Sequence, residues 1–150
     1  MNQPVKKQLS CFVINNILEL DKIVDFIKPL LLKKTCILLN GEMAAGKTSF
    51  VKSFCQSYNL ENVTSPTFSL HHVYQNALIT IDHFDLYRLN NSDEVETSGL
   101  WEALGKNDCL VLIEWPTKIS TSSISLDCKL IELNFRKIDE NTREVTLFTY

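Results

Sequence analysis

No apolar run in this chain is longer than about five residues, far short of the ~18 that cross a bilayer as a helix. A helical membrane span is excluded. The first ten residues, MNQPVKKQLS, lead only into the brief apolar patch at Cys11 to Ile14, too short for the core of an export signal, so a cytoplasmic protein is expected. A basic excess is also missing: 15 lysines and arginines face 18 acidic residues, for a net charge of -3. That balance lacks the electrostatic footprint of a protein that binds nucleic acid by itself, and any nucleic-acid role is expected to be indirect. Five cysteines, Cys11, Cys36, Cys55, Cys109 and Cys128, form no C-x-x-C pair. They give zinc almost no spacing support and read as small buried apolar residues in a reducing compartment. There is no internal repeat, low-complexity tract or linker.

What is present is an ordinary globular composition, 45% hydrophobic and 22% charged over 150 residues. One domain spanning residues 1–150 is expected, able to bury about 68 to 70% of its unfolded surface.

Its most informative stretch is Gly41-Glu42-Met43-Ala44-Ala45-Gly46-Lys47-Thr48, which fits the G-x-x-x-x-G-K-[ST] phosphate-binding loop. The flanks suit it. Thr35 to Asn40 reads as a short buried strand and Ser49 to Tyr58 as a helix leaving the loop, the order the motif requires. Amides from Met43 to Thr48, ending at a helix N-terminus, offer oriented donors and a positive dipole end to a polyphosphate. Lys47 is placed to reach the β- and γ-phosphates, and the Thr48 hydroxyl to complete the shell of a bridging magnesium ion. The bland alternative is a Gly-rich turn followed by a solvated lysine. A nucleoside triphosphate is the expected ligand.

Along the chain, Val5 to Ile14 contains a first strand, and Ile17 to Leu32 an amphipathic helix bearing Leu20, Ile23, Val24, Ile27 and Leu31 at helical spacing. Pro29 bends or ends it. Leu60 to Ser69 is a turn-rich connector, and Leu70 to Tyr74 and Ala77 to Asp82 form a hairpin about Gln75-Asn76. Ser92 is the expected N-cap of a helix reaching about Leu104. Asp108 to Glu114 is an apolar strand ending on a carboxylate, and Leu126 to Arg136 with Arg143 to Tyr150 form a terminal hairpin. The sum is an α/β fold, a P-loop NTPase-like three-layer sandwich with a mixed central sheet and a C-terminal β-hairpin.

A phosphate loop also needs a carboxylate at the end of a neighbouring strand for its magnesium. Glu114 is one candidate, delivered by the apolar run Leu110 to Ile113 to a strand's C-terminal end. Asp85, in Ile81-Asp82-His83-Phe84-Asp85-Leu86-Tyr87-Arg88-Leu89, is the other. Spacing alone does not choose between them. Trp115-Pro116 reads as a core aromatic and a chain stop, or as an aromatic wall near the nucleotide. His83, with no Ser or Cys nucleophile arranged around it, reads as a hydrogen-bonding residue.

Taken in order, the GExxAGKT-type loop, Ser65-Pro66-Thr67-Phe68, His83-Phe84-Asp85-Leu86-Tyr87-Arg88-Leu89 and Ile113-Glu114-Trp115-Pro116 resemble the TsaE (YjeE) family over about residues 8 to 137. Four ordered motifs are far more specific together than singly. The resemblance implies an ATPase of tRNA threonylcarbamoyladenosine biosynthesis that works with TsaD and TsaB in modifying adenosine 37 of ANN-decoding tRNAs. It implies ATP at Gly41, Glu42, Met43, Ala44, Ala45, Gly46, Lys47, Thr48 and Ser49, with Thr67 in a switch-like loop and Trp115 beside the nucleotide. Magnesium is held, by the same likeness, by Thr48, Asp85 and Glu114, and Lys47, Asp85 and Glu114 carry the chemistry. Glu114 has a second role open to it, orienting the attacking water. The family usually has Gly where this chain has Ala44, so a positive φ there imposes a local cost.

Only three arginines are present, Arg88, Arg136 and Arg143, and a missing transition-state arginine costs ~10³ to 10⁵ in rate. Slow hydrolysis alone and faster turnover with partners are expected. Two other readings compete: a small-molecule or nucleoside kinase, which this chain disfavours by having no insertion long enough for an Arg-rich lid, and a nucleotide-gated binding module. A guanine-specific enzyme is disfavoured because Thr117-Lys118-Ile119-Ser120 carries Ser where an Asp must read the base.

Overall fold

The computed structural model describes residues 4–150. Residues 1–3, the start of the run read above for an export signal, lie outside it. Seven strands form one mixed sheet in the order β1-β7-β6-β2-β5-β4-β3. They are β1 Lys7–Ile14, β2 Lys34–Asn40, β3 His71–Gln75, β4 Thr80–Asp85, β5 Cys109–Glu114, β6 Lys129–Lys137 and β7 Arg143–Thr149. β6, β2, β5 and β4 run parallel, while β1 with β7, β6 with β7 and β3 with β4 are antiparallel.

The helices cover both faces, which is why the central strands are continuously apolar. On one face α1 (Leu20–Ile27) and α2 (Lys47–Gln56) bury Ile23, Ile27, Phe50 and Phe54 against Ile37 and Leu39 of β2. On the other, α3 (Ser92–Glu96) and α4 (Leu100–Leu104) bury Val95 and Leu100 against Cys36 and Leu38. Alternate residues of one strand thus feed two cores. Among the described residues no helix is long and apolar enough to cross a membrane.

Three details differ from the sequence reading. The first helix is α-helical only to Ile27, and Lys28-Pro29-Leu30 tightens into a 3-10 turn at the proline, which cannot continue the hydrogen-bond ladder. The expected helix from Ser92 to Leu104 is two short helices, because Gly99 takes a φ of +88° between them. Its N-cap is Asn91 rather than Ser92, with the Asn91 side chain accepting from the Glu94 amide at 2.9 Å. Finally, the hairpin loop runs on to Ile79, since Asn76 Oδ1 accepts from the amides of Leu78 and Ile79. β4 therefore starts later and ends on Asp85 itself.

Candidate functional site

The sheet register assembles the site. Glu114 is level with Leu39 of β2 on one side and with Asp85 of β4 on the other. All three parallel strands end together, and β2 runs directly into Gly41. Ligands collect beyond such carboxyl ends in open α/β sheets. Here a cavity of 840 Å³ is bordered by Met43 to Ser49, Thr67, Asp85, Glu114 and Trp115, and also by Ile14, Asn16, Ile17, Leu20, Ser65, Tyr87, Arg88, Glu140, Asn141 and Arg143.

Gly41 and Glu42 do not border it. They shape the loop instead. Gly41 has a φ of +153°, and a Cβ there would come within 2.9 Å of the Phe135 carbonyl oxygen, so no side chain fits. Gly46, at +113°, leads into α2. The first turn of α2 has no side-chain cap, which leaves oriented amides and the dipole at the cavity wall. Between the glycines, Ala44 has a φ of +62°. An L-residue in this region costs roughly 1–2 kcal/mol, so the departure noted in the sequence is a strained position.

Lys47 is nearly buried. Its Nζ donates to the Gly41 carbonyl at 2.5 Å and to the Glu42 carbonyl at 2.8 Å, and lies 4.3 Å from the centre of the Trp115 ring. Burial lowers its pKa from the ordinary lysine value, opposed by the charges of Glu114, Asp85 and Glu42. Trp115 itself takes a φ of +57° and leans on Tyr87 at 4.9 Å. It is half-buried, packed on one core and open to the cavity, so the structure gives it both a core contact and a place in the cavity wall.

Each carboxylate holds a threonine. Thr48 Oγ1 donates to Glu114 Oε1 and Thr67 Oγ1 to Asp85 Oδ2, both at 2.8 Å. Glu114 Oε1 is also 2.9 Å from Nε2 of the fully buried His83. Because a carboxylate only accepts, that nitrogen carries the proton, and His83 is a hydrogen-bonding residue as its surroundings suggested. Asp85 Oδ1 accepts from the Tyr87 amide at 3.0 Å. The Thr67 loop is stitched further by the Leu70 amide on the Pro66 carbonyl and the Asp85 amide on the Leu70 carbonyl. Among the described residues no group of three His, Cys, Asp or Glu side chains is placed to hold a metal. Two carboxylates and two hydroxyls remain, a hard-oxygen set.

Sequence reasoning missed Arg143, Tyr87 and the β1–α1 residues Ile14, Asn16, Ile17 and Leu20 as cavity walls. Tyr87 lies just beyond Asp85 at the end of β4; no local pattern marks the others, which the strand order, with β1 and β7 beyond β6, brings to the loop. Arg88, the arginine expected near the site, does border it, but its guanidinium lies over Phe68 at 4.1 Å. Of the cysteines, four are buried as expected and Cys11 is exposed, because it points to the uncovered side of edge strand β1.

Comparison with known proteins agrees with this assembly. A family model described as threonylcarbamoyl adenosine biosynthesis protein TsaE matches residues 14–145. The tRNA threonylcarbamoyladenosine biosynthesis protein TsaE of Rickettsia felis is 38% identical over 141 residues, which covers 91% of this chain and 78% of the relative. Its counterpart in Borreliella burgdorferi is 36% identical over 111 residues, covering 74% and 79%. The crystal structure of Bacillus subtilis YdiB shares the fold, with a TM-score of 0.69 over 98% of this chain and 88% of that one, at 22% identity. With the family model spanning β2 to β6 and the phosphate loop, and these relatives matching across most of their length, the chain belongs to the TsaE family of tRNA threonylcarbamoyladenosine biosynthesis.

Proposed function

We propose that this protein is a magnesium-dependent ATPase of the cytoplasmic machinery that places threonylcarbamoyl on adenosine 37 of ANN-decoding tRNAs, working with TsaD and TsaB and meeting tRNA only through them. One observation carries the reading: a phosphate-binding loop, an uncapped helix N-terminus and two register-paired carboxylates border a single cavity. Amides of the loop and α2 bind the phosphate tail. Lys47 exchanges the Gly41 and Glu42 carbonyls for phosphate oxygens, a move favoured because burial already disfavours its charge.

Thr48, Asp85 and Glu114 are the residues that would hold magnesium. A set with only two carboxylates suits an ion that arrives on phosphate and keeps several waters. The chemistry such an ion would supply there is neutralisation of phosphate charge. Glu114 Oε1 is occupied by Thr48 and His83, which leaves Oε2 for the metal or for orienting the attacking water. Thr67, bonded to Asp85 at the cavity wall, reports the presence of the γ-phosphate to its loop.

The arginines argue for partner activation. Arg88 is stacked on Phe68 and Arg143 donates to main-chain carbonyls, so neither is poised as a transition-state finger. Hydrolysis is slow alone and faster in the assembled complex. ATPase rates measured with and without TsaB and TsaD test this; equal rates contradict it. Stoichiometric transfer of the γ-phosphate to a nucleoside or metabolite would make the protein a kinase instead. Full tRNA modification over many turnovers by a hydrolysis-dead variant would make it a nucleotide-gated binding module.

A further inference from the structure

Arg143 is the first residue of β7, 98 positions from Ala45 in the chain, yet its Nε donates to the Ala45 carbonyl at 3.2 Å and its Nη2 to the Ala44 carbonyl at 3.3 Å. Nη1 donates to the carbonyls of Asp139, Glu140 and Thr142 at 2.7, 3.2 and 3.2 Å. All these bonds end on main-chain oxygens, so the guanidinium spans the hairpin turn and the phosphate loop as a fork. Lys47 takes the carbonyls of Gly41 and Glu42. The carbonyls at the start of the loop are thereby tied to one cation and those of Ala44 and Ala45 to the other.

Ala44 sharpens the point. Its side chain is exposed and its φ is +62°. A non-glycine residue stays in that region only where its surroundings hold it, and no side-chain packing does so here. The bond from Arg143 to its carbonyl does. Because each peptide unit is planar and trans, fixing the Ala44 and Ala45 carbonyls also fixes the direction of the amides of Ala45 and Gly46. The Ala45 amide closes the turn onto the Glu42 carbonyl at 3.2 Å; the Gly46 amide is turned away from Arg143.

We infer that Arg143 is a positioning residue for the phosphate loop: it holds the left-handed turn at Ala44 and so presents the Gly46 amide to the phosphates. The inference rests on the nucleotide role proposed above. It assigns the C-terminal hairpin a part in ligand affinity, and it explains how this chain tolerates alanine where glycine turns without help.

Calorimetric titration of the full chain with MgADP tests it, on wild type, Arg143→Ala, Arg143→Lys, Ala44→Gly and the Ala44→Gly/Arg143→Ala pair, with melting curves alongside. Arg143→Ala weakens MgADP by about tenfold, the scale of losing hydrogen bonds from a charged donor. Arg143→Lys recovers only part of the loss, since an ammonium cannot span both sets of carbonyls. In the Ala44→Gly background the loss shrinks, because glycine enters positive φ unaided; that coupling separates positioning from direct phosphate contact. An affinity within about twofold of wild type for Arg143→Ala, or for Arg143→Lys if the alanine variant does not fold, overturns the inference. So does an equal loss in both backgrounds. Failure of wild type to take up MgADP overturns the nucleotide reading itself, and this inference with it.

Discussion

Asp85 and Glu114 stand in register at the ends of two adjacent parallel strands, and each accepts a 2.8 Å bond from a threonine hydroxyl, Thr67 on Asp85 and Thr48 on Glu114. One threonine belongs to the phosphate loop and the other to the connector before β3. The two carboxylates thus join the phosphate-loop helix to the connector before β3 through one pair of neighbouring strand ends.

Removing either charge while keeping the shape is expected to leave the loop able to bind nucleotide but unable to turn it over. Asp85→Asn and Glu114→Gln each lower the ATPase rate by about 10² or more, the scale of losing one preorganised electrostatic group. ATPase rates set beside nucleotide affinities decide this. A variant that hydrolyses at the wild-type rate removes its residue from the chemistry.

His83 is fully buried and holds Glu114 Oε1 at 2.9 Å. His83→Phe keeps the bulk and removes the donor, which leaves a nearly buried carboxylate with Thr48 as its remaining partner on that oxygen. Denaturant unfolding is expected to show a loss of about 2 kcal/mol, as for a hydrogen bond to a charged group. A loss below about 0.5 kcal/mol means the pair contributes little to the fold.

Ala44→Gly relieves a left-handed alanine. The relief of roughly 1–2 kcal/mol is partly offset by the added freedom of the unfolded chain, about 0.4–1 kcal/mol. A net gain of about 0.5–1 kcal/mol remains, or about 2 °C in melting temperature for a chain of this size. A lower melting temperature contradicts the assignment of strain to this residue.

The thiols differ sharply. Burial pushes Cys55 up to about 12 and Cys128 up to about 11, and raises Cys36 and Cys109 as well, while Cys11 is exposed on edge strand β1. Since the thiolate is the reactive form, a thiol reagent at pH 8 titrates Cys11 alone in the native protein and the other four only after unfolding. Rapid reaction of a second thiol in the native state contradicts the burial described here.

Much of this arrangement is legible in the chain because its parts are contiguous. Strand β2, the loop and α2 follow one another from Lys34 to Gln56, and the apolar run before Glu114 marks the end of β5. Asp85 is harder to place, since its strand is set by the turn at Asn76 and by pairing with β5. Gly99, at a φ of +88°, breaks a helix that the capping signal alone reads as continuous to about Leu104. Arg143 leaves no local trace at all, because its role comes from strand order rather than from its neighbours in the chain. The positive φ at Ala44 and Trp115 likewise belongs to the tertiary structure; propensity alone argues against both.

Calorimetric titration with ATP and magnesium, TsaB and TsaD being supplied, tests the central claim most directly. The account predicts heat of uptake by the wild-type chain and its loss in Lys47→Ala, whose ammonium is the one held over Trp115 at the loop. No heat from the wild type under those conditions, or the same heat from both proteins, contradicts it.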